Sequence, residues 1–326
     1  MHANEITRRT MLAQAGALLS GLAVIGGIRP AGATSPTKGP IAAAPAAAAG
    51  HIRIGGDLDV NRLGFGAMRV TGAGIWGDPP DVEEAKRVLR RAVELGVDFI
   101  DTADAYGPDT SERLIAEALY PYRKGLVIAT KGGLVRPAPD KWDRDGRPAH
   151  LREACEASLK RLRLERIDLY QFHAIDPNVP LEESLGEIAK LQKEGKIRHV
   201  GVSNFNADEL ARARKVVTVV SVQNRYNVAD RSSDPVLAAC ERDGLAFIPW
   251  SPLSQNPRES NAGSRVALEK WAQQRGVSMP QAAIAWLLAR SPAMLPIPGT
   301  SKVKHLEENV AAAALKITPG EMSAIG

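Results

Sequence analysis

From Leu63 onward the chain alternates short apolar runs of strand character with amphipathic runs of helix character, eight times over. The strand-like runs are 63–69, 99–104, 126–132, 167–173, 197–204, 219–224, 245–252 and 294–300. Helical periodicity follows them over 82–95, from about 109, and over 150–162, 181–194, 207–215, 234–243, 264–275 with 279–290, and 303–313. In the first helix Val82, Ala85, Val88, Leu89 and Ala92 form the apolar stripe. Strands that each return through a helix lie parallel, and eight such units close into a single (β/α)8 TIM barrel of the α/β class. An open doubly wound sheet fits less well, because Gly64-x-Gly66 lacks the third glycine that a dinucleotide loop needs. No internal boundary divides 51–326. At its start, His51 to Val60 alternates about Gly55-Gly56-Asp57, which predicts a β-hairpin capping one end of the barrel.

The first 50 residues have a different composition. Arg8-Arg9 precede an apolar, Ala/Gly/Leu-rich run over 13–28, and Ala31-Gly32-Ala33 follow. That order is the order of a twin-arginine (Tat) signal, with cleavage expected after Ala33. It predicts the Tat translocase as a transient partner, a periplasmic or other extracytoplasmic location, and no stable membrane span after cleavage. Residues 34–50, rich in Pro, Ala, Gly and Thr, read as a flexible linker. The net charge is +5, or +3 once Arg8, Arg9, Arg29 and Glu5 are set aside. Spread along the chain, so mild a surplus argues against nucleic acid as a partner. The two cysteines, Cys155 and Cys240, lie in helical patterns and suit packed faces better than a disulfide. No metal is expected.

Chemistry in a barrel of this kind belongs to the carboxyl ends of the strands. The run VDFIDTADAYG passes from apolar Phe99 and Ile100 to Asp101 and Asp104, and Tyr106 follows. LVIATKGG delivers Lys131 and IDLYQFHAID delivers His173 at comparable places. A phenol is a poor acid at neutral pH, and a neighbouring ammonium favours its phenolate form. Lys131 would therefore make Tyr106 a better proton donor, Asp101 would keep Lys131 charged, and His173 could polarise a carbonyl oxygen. A Schiff-base aldolase built on Lys131 is the other chemistry that a barrel lysine suggests.

Seven segments in this order, DTADAYG, ATKGG, LYQFHAID, GVSNF, VQNRYN, PWSPL and IPGTSKVKHLEEN, together resemble the aldo-keto reductase superfamily across 51–326. The resemblance implies a nicotinamide cofactor, NADP(H) ahead of NAD(H), a catalytic tetrad of Asp101, Tyr106, Lys131 and His173, and reduction of a carbonyl compound to an alcohol. It further implies cofactor contacts from Ser203, Asn204 and Gln223, from Trp250, Ser251 and Leu253, and from Gly299, Thr300, His305, Glu308 and Asn309. The best-known members place a lysine at Gly299 and an arginine at His305, so Lys302 or Lys304 would have to grip a 2′-phosphate here. Trp76 and Trp142, in the loops after the first and third strands, are candidate walls of a substrate pocket for small or sugar-like carbonyls. A cofactor-binding sensor or partner subunit with little turnover is the alternative reading.

Overall fold

The computed structural model describes residues 44–253 and 261–326. The N-terminal signal expected over 1–33 lies outside the described residues, as does most of the expected linker. Its last part differs from expectation: Pro45–Ala49 forms a 3-10 turn whose Ala46 and Ala49 are buried, and Ala46 N donates to Leu95 O at 3.0 Å. Alanines after a proline can wind and pack closely, so Pro45–Ala49 belongs to the packed unit ahead of 51.

Strands β1 (His51–Ile54) and β2 (Leu58–Asn61) pair antiparallel, with Ile54 opposite Leu58. Gly55 and Gly56 both take positive φ in the turn, where a side chain would be strained. The main sheet is parallel and begins with β3 (Phe65–Gly66), β4 (Phe99–Asp101) and β5 (Val127–Gly132). Within the loop after β5, β6 (Leu134–Val135) and β7 (Asp143–Arg144) form a short antiparallel pair that the polar composition of this loop conceals. The sheet continues through β8 (Ile167–Phe172), β9 (Ile197–Ser203), β10 (Val219–Arg225) and β11 (Ala246–Trp250), each strand beside its predecessor.

The eighth strand-like run is not a full strand. It still closes the curled sheet: Phe247 N donates to Ala293 O at 2.8 Å, Leu295 N to Phe247 O at 2.9 Å, and Gly64 N to Pro296 O at 3.0 Å. Pro292, Pro296 and Pro298 have no N–H to give, so a regular ladder cannot form there. The first run is also shorter than expected, because residues 67–70 wind into a 3-10 turn. Its last strand residue, Gly66, runs close to the eighth segment, and a Cβ there would stand 2.6 Å from Ile297 O.

Around the sheet lie α1 (Val82–Glu94), α2 (Thr110–Leu119), α3 (Pro148–Leu162), α4 (Leu181–Lys193), α5 (Ala207–Ala213), α6 (Asp234–Asp243), α7 (Ala262–Arg275), α8 (Met279–Arg290) and α9 (Val303–Ala311). In α1 the residues Ala85, Val88, Leu89 and Ala92 of the expected stripe are buried. A tenth helix, α10 (Pro319–Ile325), follows the last helix expected from the sequence. Thr318 and Glu321 close a reciprocal capping box at its start, and Ile325 is buried. Among the described residues no helix is long and apolar enough to cross a membrane.

The period of two along the strands is what positions the site. Phe99, Val127, Ala129 and Leu169 belong to one apolar cluster inside the curled sheet. Continuing each strand in steps of two reaches Asp101 from Phe99, Lys131 from Ala129, and Gln171 then His173 from Leu169. The same inner face is thus apolar low in the sheet and polar at its carboxyl end.

Candidate active site

Lys131 is the centre of the polar layer and is fully buried. Its Nζ donates to Asp101 Oδ2 at 2.7 Å, to Thr102 O at 2.8 Å and to Tyr106 Oη at 3.2 Å. Burial alone would pull the ammonium down, but Asp101 and Tyr106 outweigh it and the net shift is upward. Lys131 therefore stays a cation with its three donors occupied, which removes it as an amine nucleophile and with it the Schiff-base reading.

Asp101 is held from two sides. Its Oδ1 accepts from Gln223 Nε2 at 2.7 Å and from Gln171 Nε2 at 3.0 Å, while Oδ2 faces Lys131. Gln171 was not among the residues that the sequence singled out. Its position two residues before His173, on the inner face of the same strand, is the signal that could have found it. Gln223, expected at a cofactor amide, here orients the carboxylate and also reaches Gln171 Oε1 at 3.3 Å.

Tyr106 accepts its hydrogen bond from Lys131, which leaves the phenolic O–H free to donate. The ring is 7% exposed and meets His173 and Trp142 edge to face, with centroids 5.9 and 6.2 Å apart. Burial pushes the phenol up, and Lys131 opposes that rise. On balance the phenol is less acidic than a free one, contrary to the expectation: the ammonium acts in the expected direction, but desolvation is larger. His173 is pushed well below the usual imidazole range, first by burial and then by Lys131, so it is neutral near pH 7. Its Nδ1 is buried without a partner.

These groups open onto a cavity of about 490 Å³. Asp101, Tyr106, His173, Ser203, Asn204, Gln223, Trp250, Ser251, Leu253, Gly299 and Trp142 line it, with Lys131 behind them. Asn204 takes a left-handed φ of 62°, donates to His173 O at 3.0 Å, and accepts from Trp250 Nε1 at 3.0 Å. It does not cap the following helix; Asn206 does. Thr300, just before α9, His305 in its first turn, and Glu308 and Asn309 in its second half do not line this cavity. At the start of α9 Lys302 N donates to Thr300 Oγ1 at 3.1 Å and Val303 N to Glu84 Oε1 at 3.3 Å. His305 is exposed, Asn309 is buried, and Gln281 Nε2 donates to Glu308 O. Trp76 does not line the cavity; it bridges Gly107 and so joins two loops. Arg69, Met68 and Leu134 do line it, and no sequence signal marked them.

The aldo/keto reductase family model matches residues 62–326. The chain belongs to the aldo/keto reductase family. It is 50% identical over 276 residues to an uncharacterized oxidoreductase, C215.11c, of Schizosaccharomyces pombe, covering 85% of this chain and 89% of the relative. It is 41% identical over 277 residues to pyridoxine 4-dehydrogenase of Escherichia coli K12, covering 83% and 95%. Among solved structures, an aldo-keto reductase from Klebsiella pneumoniae in complex with NADPH superposes with a TM-score of 0.70 at 26% identity, over 84% of this chain and 93% of that one. This aldo/keto reductase is therefore an NAD(P)-dependent oxidoreductase. The donor set agrees with a nicotinamide cofactor: Ser203, Asn204 and Gln223 offer hydroxyl and amide groups at the cavity, beside the Trp250 ring.

Proposed function

We propose that this aldo/keto reductase uses NADPH to reduce small aldehydes and ketones, sugar-like carbonyls included, or oxidises the corresponding alcohols, with Tyr106 as the general acid. The reading rests on one observation, the Lys131–Tyr106 hydrogen bond, in which the lysine donates and the phenolic proton is left for the substrate. The bound cofactor supplies the hydride. Tyr106 gives its proton to the carbonyl oxygen, and the phenolate left behind sits 3.2 Å from an ammonium that stabilises it. Neutral His173 donates a hydrogen bond to the same oxygen and fixes its position. Asp101 keeps Lys131 charged, and Gln171 and Gln223 keep Asp101 in place. The 41% identity to pyridoxine 4-dehydrogenase makes pyridoxal a first carbonyl to assay beside small aliphatic aldehydes. Tyr106→Phe tests the acid: kcat should fall about 10²–10⁴-fold, the usual worth of a positioned acid. Wild-type turnover in that variant would end the assignment. NADPH binding without turnover on any carbonyl would favour the sensor alternative.

The preference for NADPH draws support from the Klebsiella complex and from exposed Lys302 and Lys304 at the start of α9. Initial rates with NADPH and NADH over the same carbonyls test it. The hairpin of β1 and β2 is read as a cap on the apolar end, because Ile54, Leu58 and Val60 share a cluster with Phe99 and Val127. Residues 1–33 are read as a Tat signal from the order of their sequence, which places the mature enzyme outside the cytoplasm. Fractionation of expressing cells decides this: a mature form beginning near Thr34 outside the inner membrane supports it, and an intact amino terminus in the cytosol removes it.

A further inference from the structure

Arg136 takes no part in the chemistry above, and its surroundings are unusual for a cation. It is 8% exposed, yet its hydrogen-bond partners are all backbone carbonyls and it forms no ion pair with a described carboxylate. Nε donates to Lys141 O at 2.7 Å, Nη1 to Ile75 O at 2.9 Å and Ala105 O at 3.3 Å, and Nη2 to Gly74 O at 2.7 Å. Gly74 and Ile75 lie in the loop after β3, Ala105 in the loop after β4 and Lys141 in the loop after β5. One guanidinium thus ties three consecutive loops on the catalytic side of the barrel. Gly74 and Ile75 both have positive φ, and the guanidinium satisfies both of their carbonyls. The planar fork is suited to this; a lysine, with three donors on one nitrogen, could not span the same carbonyls.

The same guanidinium lies against the Trp142 ring, with Cζ 3.8 Å from the centroid. Trp142 in turn lines the cavity and meets Tyr106 edge to face. We propose that Arg136 is a positioning residue that fixes Trp142 as the wall against which flat, aromatic carbonyl compounds rest beside Tyr106. This builds on the reductase reading. A tryptophan held on one face by a cation and fixed loops needs no ordering when a flat substrate arrives, and a looser one does. A short aliphatic aldehyde, reacting at Tyr106 without covering the wall, is insensitive to it.

The experiment compares Arg136→Lys, Trp142→Leu and the double variant on propanal and on 4-nitrobenzaldehyde with NADPH, alongside melting curves and NADPH titration. Arg136→Lys should raise KM for 4-nitrobenzaldehyde about tenfold, keep KM for propanal within twofold, and leave kcat and NADPH affinity nearly unchanged. In the Trp142→Leu background it should add nothing to KM, because the wall is already gone. Equal KM changes on both aldehydes, or full additivity with Trp142→Leu, overturn the proposal. Should Arg136→Lys fail to fold, Arg136→Gln takes its place; if neither folds, Arg136 is a determinant of the fold and the proposal is overturned. A wild-type enzyme that binds NADPH but turns over neither aldehyde refutes the reductase reading instead, which keeps the two failures apart.

Discussion

Replacing Lys131 by methionine separates what the buried ion pair does for stability from what it does for catalysis. The ammonium is fully buried and 2.7 Å from a carboxylate that is itself 2% exposed. Removing one partner of such a pair costs about 3–5 kcal/mol, because the other charge stays behind in a poor solvent. Asp101 would keep its two glutamine donors, so the lower end, about 3 kcal/mol, is expected. At about 2–4 °C per kcal/mol, Tm should drop by roughly 6–12 °C. The double variant Asp101→Asn/Lys131→Met removes the stranded charge while keeping an oxygen for both glutamines. It should recover to within about 1 kcal/mol of the wild type. Neither variant should recover activity, since Tyr106 has lost the cation that offsets its burial and stabilises its phenolate. Melting curves at pH 7 and carbonyl reduction with NADPH are the assays. A double variant as unstable as Lys131→Met alone would refute the stranded-charge argument, and a double variant with near-wild-type kcat would refute the role given to the ammonium.

Three further outcomes follow from burial and space. His173 has a folded-state value depressed below the unfolded one, so below about pH 6.5 the unfolded chain takes up a proton that the folded protein refuses. Stability should therefore fall on acidification through pH 6.5 to 5 by about 1.4 kcal/mol per unit from this group, and the difference between wild type and His173→Gln in urea titrations should show that slope. Asp104 has the opposite linkage: burial, then Glu112, pushes its carboxyl well up, and its contribution is lost as pH rises through the folded value. Asp104→Asn should melt a few degrees above the wild type at pH 8, with the gain vanishing near pH 4; an equal gain at both would refute the cause. Gly186 lies inside α4 with no atom within 4 Å of a Cβ placed there, so Gly186→Ala should stabilise by about 0.5–1 kcal/mol, and a drop in Tm would contradict the open space.

Much of this molecule was legible because two periods carry it. Helical spacing over 82–95 exposed the stripe of α1, and strand-to-helix alternation carried the barrel. What stayed hidden depended on partners remote in sequence. Nothing local in LGFGAMR says that position 66 has no room for a side chain; the reason is Ile297 O, more than two hundred residues away. Pro296 and Pro298 lack the N–H groups that a ladder along the eighth run would need. The helix α10 was hidden for a smaller reason, since Thr318-Pro-Gly-Glu321 carries a capping box that a reader looking for apolar periodicity passes over.

The site divides the same way. Asp101, Lys131 and His173 could be found because each is the residue that follows an apolar strand interior in steps of two, and a charge in such a place has few reasons to be there other than chemistry. Gln171 obeys the same rule and was missed because an amide carries no charge to draw attention. Arg136 obeys no rule of spacing at all: its partners are carbonyls of three loops, and a carbonyl is present at every residue. Sequence can therefore reveal the groups proposed to perform the reaction more readily than those that hold the walls in place, and under the role proposed for Arg136 substrate choice depends on the second kind. Variants at Arg136 and Trp142 should accordingly redistribute activity among carbonyls, whereas variants at Tyr106 should remove it from all of them.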